Sequence, residues 1–206
     1  MIDQPKSLGD KKYKDALIAR INDPHVRKLN AFVETIRRRE RCGKRVPYFD
    51  PADGGVDAEC LFLLEAPGPK AVKSGFVSRN NPDETAKNWF LLNAEAGIDR
   101  SRTVNWNIVP WYIGDGPRIR PAKPADIDEG WRWLNRLLKT PDLLPRLRIV
   151  VLVGRKAQRV AERIRQLRPD LILMPCPHPS PVFVNRRREN RGMVLEALRE
   201  VAEKLG

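Results

Sequence analysis

Apolar residues along this chain follow two rhythms. Four short runs, residues 60–64, 103–109, 149–153 and 171–174, are mostly apolar and have the length of strands buried on both faces. Around them the spacing becomes helical: residues 13–21, then 25–41, where Val26, Leu29, Phe32, Val33 and Ile36 share a face, then 83–96, 127–139, 155–167 and 189–205. Such alternation predicts a three-layer α/β/α fold around a central four-stranded parallel sheet, with extra N-terminal helices. Residues 46–55, rich in Pro, Asp and Gly, read as a connector. Residues 1–55 are therefore expected to be a helical extension packed on a single domain spanning 1–206. No internal repeat is evident, and a proline-rich loop covers 117–124.

Open parallel sheets bind ligands beyond the carboxyl ends of their strands, so the residues closing each run are the candidates for chemistry. The first run leads into Glu65-Ala66-Pro67-Gly68, and the second carries Asn105-Trp106-Asn107. Gly154-Arg155-Lys156 follows the third, and Pro175-Cys176-Pro177-His178-Pro179-Ser180-Pro181 the fourth. Glu65, Asn107 and His178 are expected to meet on one rim.

Charge narrows the partners. Lys and Arg number 39 against 26 Asp and Glu, a net +13 spread along the chain. That field favours a polyanion, of which DNA is the commonest. Residues 1–14 are polar, and no apolar run nears the ~20 residues of a membrane span. A soluble cytoplasmic, nucleoid-associated monomer is expected, with no membrane partner. The three cysteines, Cys42, Cys60 and Cys176, are odd in number and far apart, with two histidines besides. They give neither a disulfide framework nor a metal site, and no cofactor is expected. The chain lacks a GxxxxGK[ST] phosphate loop, GxGxxG and GxSxG. Cys176 lies two places from His178 on an extended segment, where their side chains need not meet, and reads as a reduced structural thiol.

Three motifs stand in order: Glu65-Ala66-Pro67-Gly68, Asn107-Ile108-Val109 and His178-Pro179-Ser180-Pro181. Over residues 61–206 the chain resembles the uracil-DNA glycosylase superfamily, nearest its Glu-Ala-Pro-Gly branch. The resemblance implies a monofunctional glycosylase of base excision repair, acting on uracil in single- or double-stranded DNA and releasing free uracil. The nucleotide would be flipped into a pocket. Phe76 would stack on the base, Asn107 would read its amide edge, and Ala66 and Gly68 would line the pocket. His178 would stabilise the departing anion, and Glu65 would serve the attacking water. Another branch places a water-activating Asp where Ala66 stands, and a bulky Tyr that excludes the thymine methyl where Gly68 stands. The resemblance thus allows a base range wider than uracil.

For the grip on DNA it implies Ser74, Ser180, Arg186 and Arg187, with Val182 and Phe183 as a wedge filling the vacated stack. The Glu-Ala-Pro-Gly branch usually carries an iron–sulfur cluster on four cysteines, which three scattered ones cannot supply. Two other classes remain open at this point. One is a protein of the same fold that holds uracil or abasic DNA without turnover; its covalent form uses a histidine that residues 185–191 lack. The other is a glycosidase of free nucleosides, which the basic charge disfavours.

Overall fold

A computed structural model describes residues 3–40, 45–116 and 118–206. Cys42, Arg41 at the end of the second expected helix, and Pro117 of the proline-rich loop lie outside them. The N-terminal part forms α1 (Lys11–Ile18) and α2 (Arg27–Arg39), followed by the two-residue strand β1 (Tyr48–Phe49) and then β2 (Cys60–Leu64). Next come α3 (Pro69–Ser74), β3 (Phe76–Val77), α4 (Glu84–Glu95) and β4 (Thr103–Asn107). The remainder is α5 (Pro124–Lys139), β5 (Ile149–Val153), α6 (Arg155–Gln158), α7 (Ala161–Leu167), β6 (Ile172–Cys176), α8 (Pro181–Val184) and α9 (Arg188–Leu205).

The main sheet has the order β4-β2-β5-β6, and every pairing is parallel. Period-two alternation divides its side chains between two cores. Leu61, Leu63, Val104, Trp106, Val150 and Leu152 face α2, α5 and α7, while Cys60, Phe62, Ile149, Val151 and Val153 face α4 and α9. The expected α/β/α layering is what forms. Pro175 sits in β6, an edge strand, where a missing N–H can face away from the ladder.

The N-terminal extension completes the first core. Val26, Leu29, Phe32, Val33 and Ile36 of α2 and its approach are buried there, and Phe49 stacks on Trp106 with ring centroids 4.0 Å apart. The Asn30 side chain accepts from the Phe49 N–H at 3.0 Å, fixing β1 against α2. As a result β4, although an edge strand, is buried along its whole length. The pairing of β1 with β3, α3 and α8 had no clear periodic signal, because each is too short to show one. The helix expected over 155–167 is divided: near Val160, which is fully buried, the bonds tighten to the i→i+3 type and α6 gives way to α7.

Candidate functional site

A cavity of about 600 Å³ opens at the carboxyl ends of the strands. Glu65, Ala66 and Gly68 after β2, Asn105 and Asn107 of β4, and His178 after β6 all line it. Glu65 leaves β2 just as the chain turns toward α3, and its main chain is still held by the ladder: Val109 N–H donates to the Glu65 carbonyl at 3.0 Å. Its Oε1 accepts from the Ala122 N–H at 2.5 Å, and among the described residues Oε2 has no hydrogen-bond partner. One carboxylate oxygen is anchored and the other is left for solvent or substrate.

Asn107 ends β4 and is 3% exposed. Its Nδ2 is buried without a hydrogen-bond partner among the described residues. A buried donor in this state costs roughly 1–3 kcal/mol unless a ligand supplies an acceptor. Asn105, two residues earlier on the same face, differs: Trp89 Nε1 donates to its Oδ1 at 3.0 Å, and its Nδ2 donates to Asp53 at 3.0 Å. The second asparagine is thereby committed to the scaffold. Helix α5 approaches this strand end closely because residue 130 is Gly; a Cβ there would stand 2.2 Å from the Ile108 carbonyl oxygen.

His178 follows β6 in a loop fixed from several sides. Asn88 Nδ2 of α4 donates to the Pro179 carbonyl at 3.0 Å, and Ser180 caps α8 by accepting from the Phe183 N–H. Gly154 (φ +85°) closes β5 beneath it, where an added Cβ would lie 3.2 Å from His178 Cβ. Burial pushes the imidazole pKa below its usual 6.5, partly opposed by the Asp83 carboxylate. The ring is accordingly neutral at pH 7, a hydrogen-bond donor without a charge of its own. Asp83 itself caps α4 through the Ala86 N–H, and its own pKa is raised by burial.

Ile119, Arg120 and Pro121 form another wall. Arg120 is paired with Asp126, and Lys156 Nζ of α6 donates to the Ala122 carbonyl at 2.6 Å. The loop expected over 117–124 thus contributes to the cavity, which composition did not indicate.

Residues 51–202 match the family model described as Uracil DNA glycosylase superfamily. The chain belongs to that superfamily. A solution NMR structure from Methanosarcina acetivorans, described as a candidate uracil DNA glycosylase, is 14% identical, with a TM-score of 0.48, over 73% of this chain and 96% of that one. No curated protein matches the sequence.

Several residues that the superfamily resemblance assigned to base or DNA stand elsewhere. Phe76 does not line the cavity: its ring is fully buried among Leu8, Tyr13 and Leu17, and Tyr48 leans on it. Its neighbour Val77 takes the wall position, because successive residues of a strand point to opposite sides. Ser74 is buried too, donating to Asn81 Oδ1 at 2.6 Å, and is not free for phosphate. Phe183 packs against the second core, whereas Val182 is 83% exposed. Of the expected wedge, Val182 alone stands out into solvent, with Arg186 and Arg187 exposed nearby in the chain.

Ser78 and Arg79 are buried as well; Arg79 Nη2 donates to Thr103 Oγ1 at 2.8 Å. Below the cavity Arg100 binds Asp3, Asp50 and Asp53. Burial opposes its charge, but the three carboxylates outweigh it and raise its pKa. Cys176 is fully buried, and burial pushes its thiol up to about 12, so no thiolate stands ready beside His178. Sequence reasoning missed Asp83 and Trp89, since each sits in an ordinary helical pattern, while Lys156 stood out only as part of the segment that ends the third run.

Proposed function

We propose that this protein removes uracil from DNA by hydrolysing the N-glycosidic bond, leaving an abasic site. The observation that carries the reading is the convergence on one cavity of Glu65, His178 and an Asn107 whose buried amide donor lacks a partner. A flipped uracil would offer its O4 to Asn107 Nδ2 and its N3–H to Oδ1. Neutral His178 would donate toward O2 as negative charge gathers on the departing base. Glu65, through its unanchored oxygen, would hold the water whose oxygen bonds to C1′ as the C1′–N1 bond breaks, and would offset positive charge on the sugar. The water's proton would leave by way of the carboxylate, and the uracil anion would be protonated on release.

Exposed Val182 beside Arg186 and Arg187, together with the net charge of +13, supports insertion into DNA with phosphate contacts alongside. Gly68 supports a broad base range: an added Cβ there meets nothing within 4 Å. The test is single-turnover incubation with oligonucleotides, single- and double-stranded, carrying one uracil, thymine, hypoxanthine or xanthine, followed by alkali. Strand breaks at uracil only after alkali are the expected result. Tight retention of uracil-DNA without cleavage would replace this reading with that of a binding protein, and breakage before alkali would require a lyase step.

A further inference from the structure

Ala122 is gripped through both of its main-chain groups. Its N–H donates to Glu65 Oε1 at 2.5 Å, and its carbonyl accepts from Lys156 Nζ at 2.6 Å. These two contacts arrive from different strand ends, Glu65 from β2 and Lys156 from the start of α6 after β5. The residues just before Ala122, namely Ile119, Arg120 and Pro121, line the cavity, and Ile119 is 43% exposed there. A loop segment that forms a wall is therefore fastened at Ala122 by one cation and one carboxylate, besides the pairing of Arg120 with Asp126 toward solvent.

The chemistry of the fastening is uneven. The Glu65 contact uses an oxygen of a group proposed to serve the water, so any displacement of Ala122 changes where that carboxylate points. The Lys156 contact reaches no other described residue, and Lys156 itself does not line the cavity. A charge-assisted bond to a carbonyl holds a strap more firmly than a neutral one. We propose that Lys156 is a positioning residue: by holding the Ala122 carbonyl it keeps residues 119–122 closed on the cavity and fixes the Glu65 carboxylate through the Ala122 N–H. The inference rests on the glycosylase reading for its effect on rate, but the strap itself can be measured without catalysis.

The experiment compares full-length wild type with Lys156→Met, Lys156→Gln and Lys156→Arg, using single-turnover excision at saturating uracil-DNA, the dissociation constant for DNA carrying an abasic-site analogue across a salt series, and amide hydrogen exchange over residues 118–123. Lys156→Met and Lys156→Gln should slow excision about tenfold, the scale of a modest misplacement of a reacting group. Affinity and its salt slope should stay as in wild type, exchange at Ala122 should quicken, and Lys156→Arg, which can still donate, should restore both rate and protection.

An unchanged saturating rate with weaker binding and a salt slope reduced by about one would make Lys156 a phosphate contact and overturn the proposal. Equal loss in Lys156→Arg, or unchanged exchange at Ala122, would overturn it as well. If wild type excises no base, the glycosylase reading fails by itself. The exchange data then decide the strap alone: faster exchange in Met and Gln but not Arg keeps it, and uniform exchange removes it.

Discussion

The two ends of the central sheet treat polar side chains in opposite ways. At the amino ends Glu59 receives Arg102 and Arg148, and Arg102 also donates to the carbonyls of Leu205 and Gly206, so strands β2, β4 and β5 are tied to one another and to the last helix. At the carboxyl ends Asn107 Nδ2 and Glu65 Oε2 have no partner among the described residues, and burial disfavours the charge of His178. A saturated rim stabilises; an unsaturated one has bonding capacity left for a ligand. Substitutions at one rim should accordingly change rate, and at the other stability.

The largest expected effect is at His178. His178→Ala should lower single-turnover excision by about a thousandfold, equivalent to ~4 kcal/mol of transition-state stabilisation, with DNA affinity nearly intact. Normal excision by that variant would remove the leaving-group role. In wild type the rate should hold its plateau below pH 6.5 and fall only as the depressed pKa of His178 is crossed, which an NMR titration of the two histidines can locate independently. A His178 titration above 6.5 would contradict the neutral donor.

Phe76→Ala sharpens the contrast from between the rims. Burial of the ring away from the cavity predicts a loss of about 3 kcal/mol in urea unfolding, with the excision rate of the folded fraction unchanged. A large rate loss at full stability would return Phe76 to the role of a stacking ring. Gly154→Ala should act on both quantities. The backbone at φ +85° and ψ 161° is open essentially to glycine and strains any L side chain, by about 1–3 kcal/mol, and the new Cβ presses on His178, so excision should slow as stability falls.

The smallest effect is expected at the opposite rim. Hydrogen bonds from Arg102 and Arg148 hold the Glu59 carboxyl at about 2, below the usual value of 4.5. A depressed carboxylate pKa contributes stability that is present above pH 4.5 and is lost as pH falls toward 2. Glu59→Gln should flatten the dependence of the urea midpoint on pH across that window and leave excision at pH 7 as it was. An unchanged pH slope would show that the arginine pairing adds nothing to folding.

The sequence by itself determined the sheet and the rim. Strands 60–64 and 149–153 were legible to the residue, because a strand buried on both faces is continuously apolar and five residues are too few for a core helix. Residues that end such strands in a parallel sheet have nowhere to go but the carboxyl rim, so Glu65, Asn107 and His178 could be placed together from their positions alone. Loop residues carry no such constraint. Whether Phe76 met a base or a core was decided by the N-terminal extension: Leu8, Tyr13 and Leu17 surround its ring, while Asn80 binds Asp3, Gln4 and Ser7.

Tertiary structure likewise decided that Asn105 would be spent on Trp89 and Asp53 while Asn107 stayed unpartnered, and that Ala122 would bridge Glu65 to Lys156. Periodicity reports which face of an element is buried. Partners of single polar atoms depend on long-range contacts that no local pattern encodes.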